Sequence, residues 1–145
     1  MIGTISTIMM LAAPILIIAT GGMICERSGV TNVGLDGLMS IGACTAAIVH
    51  QLLEAAGVGR ISLTVALLAA ALVSMLISVL HAIASVDLKS DQTISGTGIN
   101  LLATGITVFV CQRIYGTDRS TEFKMGMVKD GIGFYPTLYI AIVVV

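Results

Sequence analysis

The chain has 145 residues, 57% hydrophobic and 10% charged, with a formal net charge of −1; its mean hydropathy is +1.05. A soluble domain carries about 25% charged residues, so this chain cannot cover itself in water and needs a bilayer. The charge balance excludes the basic field of a nucleic-acid binder, and Lys and Arg scattered singly exclude a peripheral helix lying on anionic lipid.

Ile5 to Cys25 reads as the first span: at ~1.5 Å rise per residue it covers ~31 Å, about one hydrocarbon core. No Lys or Arg precedes Arg27, so the positive n-region of a secretory leader is missing and the run reads as a retained anchor. Pro14 lies mid-span, where a kink is expected. Gly21 and Gly22 permit close approach of another backbone.

Glu26 to Asp36 is a polar break, and Gly37 to Leu53 is the second apolar run. Val33 and Leu35 could extend that run backwards. A short apolar segment entered through glycines points to a broken helix. Gly42, Ala43, Ala46 and Ala47 form a small-residue face suited to tight packing. Glu54 to Arg60 is a tight connection turned by Gly57 and Gly59. Ile61 to Ala84 is the third span, in which Ser62, Thr64, Ser74 and Ser78 can bond back to their own helix. His81, near its end, reads as a capping or interfacial residue ahead of a ligand.

Ser85 to Ser95 is the second polar break, and Ile94 to Cys111 the fourth span. This span carries Ser95, Gly96, Thr97, Gly98, Asn100, Thr104, Gly105 and Thr107, so one face is expected to look into protein or a cavity. Gln112 to Tyr135 reads as a surface loop. Pro136 to Val145 opens a fifth apolar run too short to span, so the chain is expected to be the N-terminal part of a longer protein. The expected fold is all-α and integral to the membrane: four complete spans, the start of a fifth, and a break near Gly34–Gly37. Cys25, Cys44 and Cys111 show no CxxC or histidine pairing and read as small apolar helix residues, with metal or redox chemistry the lesser alternative.

Two stretches, ERSGVTNVGLDGLMSIGA and LKSDQTISGTGINLLATGIT, resemble the permease subunits of bacterial ABC importers serving ribose-type sugars and branched-chain amino acids. The nucleoside branch, paired with basic-membrane-type lipoproteins, is the nearest in pattern. The resemblance runs from about residue 10 to residue 115. Asp36 stands where that branch usually has Glu, and Val33 where it has Ile. The second stretch matches at Asp91, Ser95, Gly96, Asn100, Leu101, Ala103 and Gly105.

The resemblance implies a transport subunit without its own ATPase site, in a multi-pass inner membrane protein. Its implied partners are a second permease subunit, a cytoplasmic ABC ATPase that uses ATP, and an extracytoplasmic solute-binding lipoprotein. The chain itself has no GxxxxGK[ST] loop, and no HExxH or GxSxG motif that would favour an intramembrane enzyme. A self-sufficient channel or secondary transporter is the rival reading. An outside N-terminus follows from the resemblance and from Arg27, the first basic residue. The positive-inside count of the Gln112–Tyr135 loop argues the reverse.

The resemblance also implies that both polar stretches help build the solute pathway. Asn32 and Asp36 either cap the helix starting near Gly37 or line that pathway. Gly29, Gly34 and Gly37 suggest unwound backbone at membrane depth, tolerated only against protein or water. Glu26 and Arg27 read as an interfacial anchor pair, or as a gate ion pair or subunit contact. Asp87, Lys89 and Asp91 are gate or interface candidates of the second break. Asn100, a single amide in an apolar helix, either bonds a neighbouring helix or contacts solute. Gln92, Ser95 and Thr97 are candidates for the same face, and Gly96 is a further pathway candidate.

Overall fold

The ends of each helix are set by a few backbone and side-chain hydrogen bonds. The computed structural model describes residues 2–59 and 61–118. Helix α1 spans Ile2–Arg27, α2 Leu35–Ala55, α3 Ile61–Ala82 and α4 Gln92–Tyr115; a π-helical turn, Ile83–Asp87, continues α3. Among the described residues, 4 helical segments are long and apolar enough to cross a membrane, so the expected all-helical spanning fold forms. The chain divides into two units: α1 belongs to the first, and the second starts at Asn32 and holds α2, α3 and α4.

In the first unit, α1 continues without interruption across Pro14. Ile5, Ile8, Leu11 and Ile15 are exposed, as suits contact with lipid. The helix stops at Gly29, whose φ is +85°. The Val30 N–H donates to Cys25 O at 3.3 Å and the Gly29 N–H to Glu26 O at 3.0 Å, the paired bonds of a Schellman cap. Ser28 Oγ adds a 2.6 Å bond to Cys25 O. Two expectations change as a result. Glu26 and Arg27 are the last turn of a helix, not the opening of a polar break, and Gly29 terminates that helix rather than unwinding backbone at membrane depth. α2 ends the same way: Gly57 has φ +76°, and Gly57 and Val58 donate to Glu54 O and Leu53 O, each at 3.0 Å.

In the second unit, α2 and α3 pack as an antiparallel pair. Small residues at i, i+4, i+8 form the α3 seam: Ser62, Ala66 and Ala70 are buried. Leu68, Leu72 and Leu76 of α3 are exposed and apolar. In lipid, apolarity cannot drive helices together; close packing and interhelical hydrogen bonds do. Two of the residues expected to bond back to α3, Ser62 and Ser74, serve this purpose instead. Ser74 Oγ donates to Leu38 O of α2 at 3.2 Å, beside Gly42, where a Cβ would stand 2.8 Å from that same Oγ. Near the other end, Ser62 Oγ and His50 Nδ1 share a 3.1 Å bond, and His50 Nε2 lies 3.3 Å from Glu54 Oε1.

His81 closes the opposite end of α3. It is 3% exposed and is no interfacial cap. Its Nδ1 shares a 3.1 Å bond with Ser95 Oγ of α4, and its Nε2 lies 3.4 Å from Ser85 Oγ. Ser85 Oγ also donates to His81 O at 2.7 Å. This bond accompanies the π-helical turn, whose register shows in the 3.0 Å bond from Leu88 N to Ile83 O. Lys89, with φ +49°, then reverses the chain at a left-handed position that costs a lysine more than a glycine.

Only residues 88–91 separate that turn from α4, a shorter break than Ser85–Ser95. Asp91 is the N-cap: its Oδ1 accepts from Thr93 N at 2.8 Å and Ile94 N at 3.2 Å. Asp91→Ala is expected to destabilise the protein by about 1 kcal/mol and Asp91→Asn by less, read as a lower unfolding midpoint in detergent. α4 ends at Tyr115 on Gly116, whose φ is +70° and whose N–H bonds to Gln112 O. Gln112 and Arg113 therefore belong to the helix, not to a loop. Residues 114 and 115 are helical as well, while the loop from residue 119 onward and the run from Pro136 lie outside the described residues.

The polarity of α4 has two physical sources. Thr97, Thr104 and Thr107 donate to the carbonyls of Thr93, Asn100 and Ala103 at 2.8, 2.9 and 2.8 Å. These hydroxyls are satisfied within the helix and need no cavity. Gly96 and Asn100 face α2.

Candidate functional site

The two glycine-bearing stretches meet in the second unit where the start of α2 lies against the first half of α4. The N-cap of α2 is Gly34, with no side-chain cap bond of its own. Leu35, Asp36 and Gly37 are then its N1, N2 and N3 positions, where free N–H groups need acceptors. Asn100 Oδ1 accepts the Gly37 N–H at 2.7 Å from 63 positions along the chain. Asn100 Nδ2 donates to Val33 O at 3.0 Å. One amide thus caps α2 from outside and holds the segment leading into it. Asn32 Oδ1 accepts the Gly34 N–H at 3.0 Å, a local Asx turn that shapes the same entry.

Glycine makes this approach possible. A Cβ on Gly37 would lie 2.9 Å from Asn100 Cα and 3.0 Å from Ile99 O. On Gly96 it would lie 2.8 Å from Gly34 N and 2.9 Å from Val33 Cβ. On Gly34 it would come within 3.4 Å of Gly96 O. The backbones of α2 and α4 are in near contact, as small-residue interfaces between spanning helices permit.

The predicted site residues therefore separate into groups. Asn32, Gly34, Gly37, Gly96 and Asn100 come together. Gly37 is helical, so the unwound segment ends at Gly34. Asp36 is exposed in the first turn of α2; it caps nothing, though its charge complements the helix dipole. Ser95 turns to His81 of α3. Thr97 lies on another face of α4, where it lines a hollow of about 360 Å³ with Thr93, Ile94, Gly98 and Leu101. Gln92 opens α4.

Glu26, Arg27, Asp87 and Lys89 are exposed. Adjacent residues on a helix diverge, and among the described residues no ion pair joins Glu26 to Arg27. Asp91 is committed to its cap. Sequence reading missed the His50–Ser62 and His81–Ser95 pairs. Their signal was a histidine and a serine at helix ends inside otherwise apolar spans. Among the described residues no three His, Cys, Asp or Glu side chains converge as a metal ligand set. The junction offers amide, hydroxyl and backbone groups, suited to hydrogen bonding rather than to acid–base or nucleophilic chemistry.

Comparison with known proteins places this geometry in a transport family. The chain is 42% identical over 130 residues to the guanosine ABC transporter permease protein NupQ of Bacillus subtilis, an alignment covering 88% of this chain and 40% of that protein. It is 37% identical over 111 residues to the nucleoside ABC transporter permease protein NupC of Lactococcus lactis, covering 77% of this chain and 35% of that protein. The chain thus spans about two fifths of the length of the curated relatives it matches. No solved structure matches it. Residues 4–145 match the family described as the permease component of the branched-chain amino acid transport system; with its membrane-spanning helices, the chain belongs to that family of multi-pass membrane permeases.

Proposed function

We propose that this chain forms part of the translocation pathway of an ATP-driven importer of nucleosides. The observation that carries this reading is the junction of Val33–Gly37 with Gly96–Asn100, where both glycine-bearing stretches meet around one amide. Asn32, Gly34, Gly37, Gly96 and Asn100 form a rigid piece of the pathway wall, with Asp36 at its exposed edge and Ser95 anchoring it to α3. Glu26, Arg27, Asp87 and Lys89, all exposed, are gate or subunit contacts, and Asp91 caps the start of α4. A wall of neutral hydrogen-bonding groups suits an uncharged polar solute better than a cation, which calls for intramembrane carboxylates. The names of the two relatives, guanosine and nucleoside permeases, support the substrate class.

Transport needs a second permease subunit, a separate ATPase chain that consumes ATP, and an extracytoplasmic binding lipoprotein. In a strain lacking the full-length gene and any paralogue, uptake of radiolabelled guanosine is expected to fall to background and to return with the gene. Unchanged guanosine uptake would remove the nucleoside reading, and lost ribose uptake in the same strain would replace it with a sugar. Solute flux in liposomes holding the permease alone would favour a self-sufficient channel.

A further inference from the structure

We propose that the π-helical turn Ile83–Asp87 is a two-register switch: it holds one spare residue that the end of α3 can take in or release, and the change swings Asp87 and Lys89. Its role in transport rests on those two residues being gate or subunit contacts.

The spare residue shows when three similar helix ends are set side by side. α1 and α2 end on left-handed glycines, Gly29 and Gly57. The N–H just after each glycine reaches back five residues, Val30 to Cys25 O and Val58 to Leu53 O, and the N–H just before reaches back four, Ser28 to Ile24 O and Ala56 to Leu52 O. The end of α3 has a left-handed lysine, Lys89. Here the following N–H, that of Ser90, reaches back six residues to Ala84 O at 3.1 Å, and the preceding one, that of Leu88, reaches back five to Ile83 O at 3.0 Å. Both bonds are one residue wider than their counterparts in α1 and α2.

Side chains hold the wide register. Ser90 Oγ donates a second bond to Ala84 O at 2.9 Å. Buried Ser85 donates from Oγ to His81 O at 2.7 Å and lies 3.4 Å from His81 Nε2. The narrow register needs no new group. The Leu88 and Ser90 N–H groups pass to the next carbonyls along, those of Ala84 and Ser85, and the end of α3 then matches the ends of α1 and α2. Each N–H keeps one acceptor in either register, so the serine bonds decide between them.

The motion is confined. His81 Nδ1 and Ser95 Oγ, 3.1 Å apart, pin α3 just before the turn to α4 just after it. One residue of α-helix is about 100° of rotation and about 1.5 Å of rise. A shift between the pins therefore swings Asp87 and Lys89, both exposed, and leaves Gly96 and Asn100 seated against α2. π-Helical turns inside α-helices are frequent at functional sites.

Deletion of Val86, an exposed residue of the turn, removes the spare residue: the Leu88–Ile83 bond then closes an ordinary α-helical turn. The test places nitroxides on Asp87→Cys and on Leu72→Cys, exposed on α3, in a Cys25→Ser/Cys44→Ser/Cys111→Ser background, and reads their separation by pulsed electron paramagnetic resonance in detergent. Two separations are expected with the turn intact and one with Val86 deleted. Ser85→Ala and Ser90→Ala are each expected to move the ratio of the two by about 5-fold, the worth of one hydrogen bond. The unfolding curve of each variant establishes that it is folded. A single, unmoved separation in both the intact turn and the Ser85→Ala/Ser90→Ala double variant would overturn the switch. In cells, deletion of Val86 is expected to lower the maximal rate of guanosine uptake by about 10-fold or more with KM little changed, as loss of a gating step does. An unchanged maximal rate would overturn the role of the turn in the gate. The separations are read without solute, so they decide the switch even where guanosine is not the substrate.

Discussion

Gly37→Val is expected to drive α2 away from α4 and to lower the unfolding midpoint of the full-length permease by on the order of 10 °C. The first atom added to Gly37 would stand 2.9 Å from Asn100 Cα, and backbone cannot yield as the tip of a flexible side chain can. Overpacking of this kind costs about 1–3 kcal/mol. Displacement of the helix also breaks both bonds of Asn100, each worth about 1 kcal/mol. Gly96→Val, aimed at Gly34 N from the other side, is expected to do the same. Gly98 and Gly105 supply the control: a Cβ there meets nothing within 4 Å. Gly98→Ala is expected to be neutral or to stabilise by up to about 1 kcal/mol through helix propensity. Equal melting of Gly37→Val and the wild type would refute the near contact of the two backbones.

Asn100→Ala carries the second large effect. It leaves the Gly37 N–H and the Val33 carbonyl without the partners they now have. The Gly37 bond is part-buried and the Val33 bond exposed; an orphaned buried polar group costs about 1–3 kcal/mol, so a loss of about 1–3 kcal/mol is expected, most of it at Gly37. Asn100→Asp retains an acceptor for Gly37 and adds charge at the start of α2, which the helix dipole favours, but it gives up the donor to Val33. It is expected to fall between alanine and wild type. Kinetics separate a capping role from solute contact. Capping predicts a lower melting point and fewer competent transporters with KM little changed; direct solute contact predicts a raised KM at normal melting. Normal assembly and normal uptake in Asn100→Ala would remove the residue from the site altogether.

Much of this molecule can be read directly from residue order. Long apolar runs located all four spans because a bilayer demands length and apolarity, which composition reports. Their ends moved by a few residues, since ends depend on hydrogen bonds: the Schellman caps at Gly29 and Gly57 carried α1 to Arg27 and α2 to Ala55. Asn100 was conspicuous as one amide in an apolar helix, and a bond to a neighbouring helix was one of its two readings. Which helix, and which N–H, required the fold. The threonines of α4 misled for a related reason, because sequence counts polar groups but not the i−4 carbonyls that satisfy them. His81 looked like a span-end residue by position, yet Ser95, the partner that buries it, lies across the following break.

The outside cap on α2 also sets an order of events during synthesis. The Gly37 N–H obtains its acceptor from a residue 63 positions later, so α2 emerges from the ribosome with its entrance unfinished. At about 5–20 residues per second, that entrance waits roughly 3–13 s for Asn100 to be made. Through that interval the first turn of α2 depends on water for its hydrogen bonds, which holds this end of the helix at the membrane surface. Insertion of α4 then closes α2 as well as itself, making the fourth span the step that commits the second.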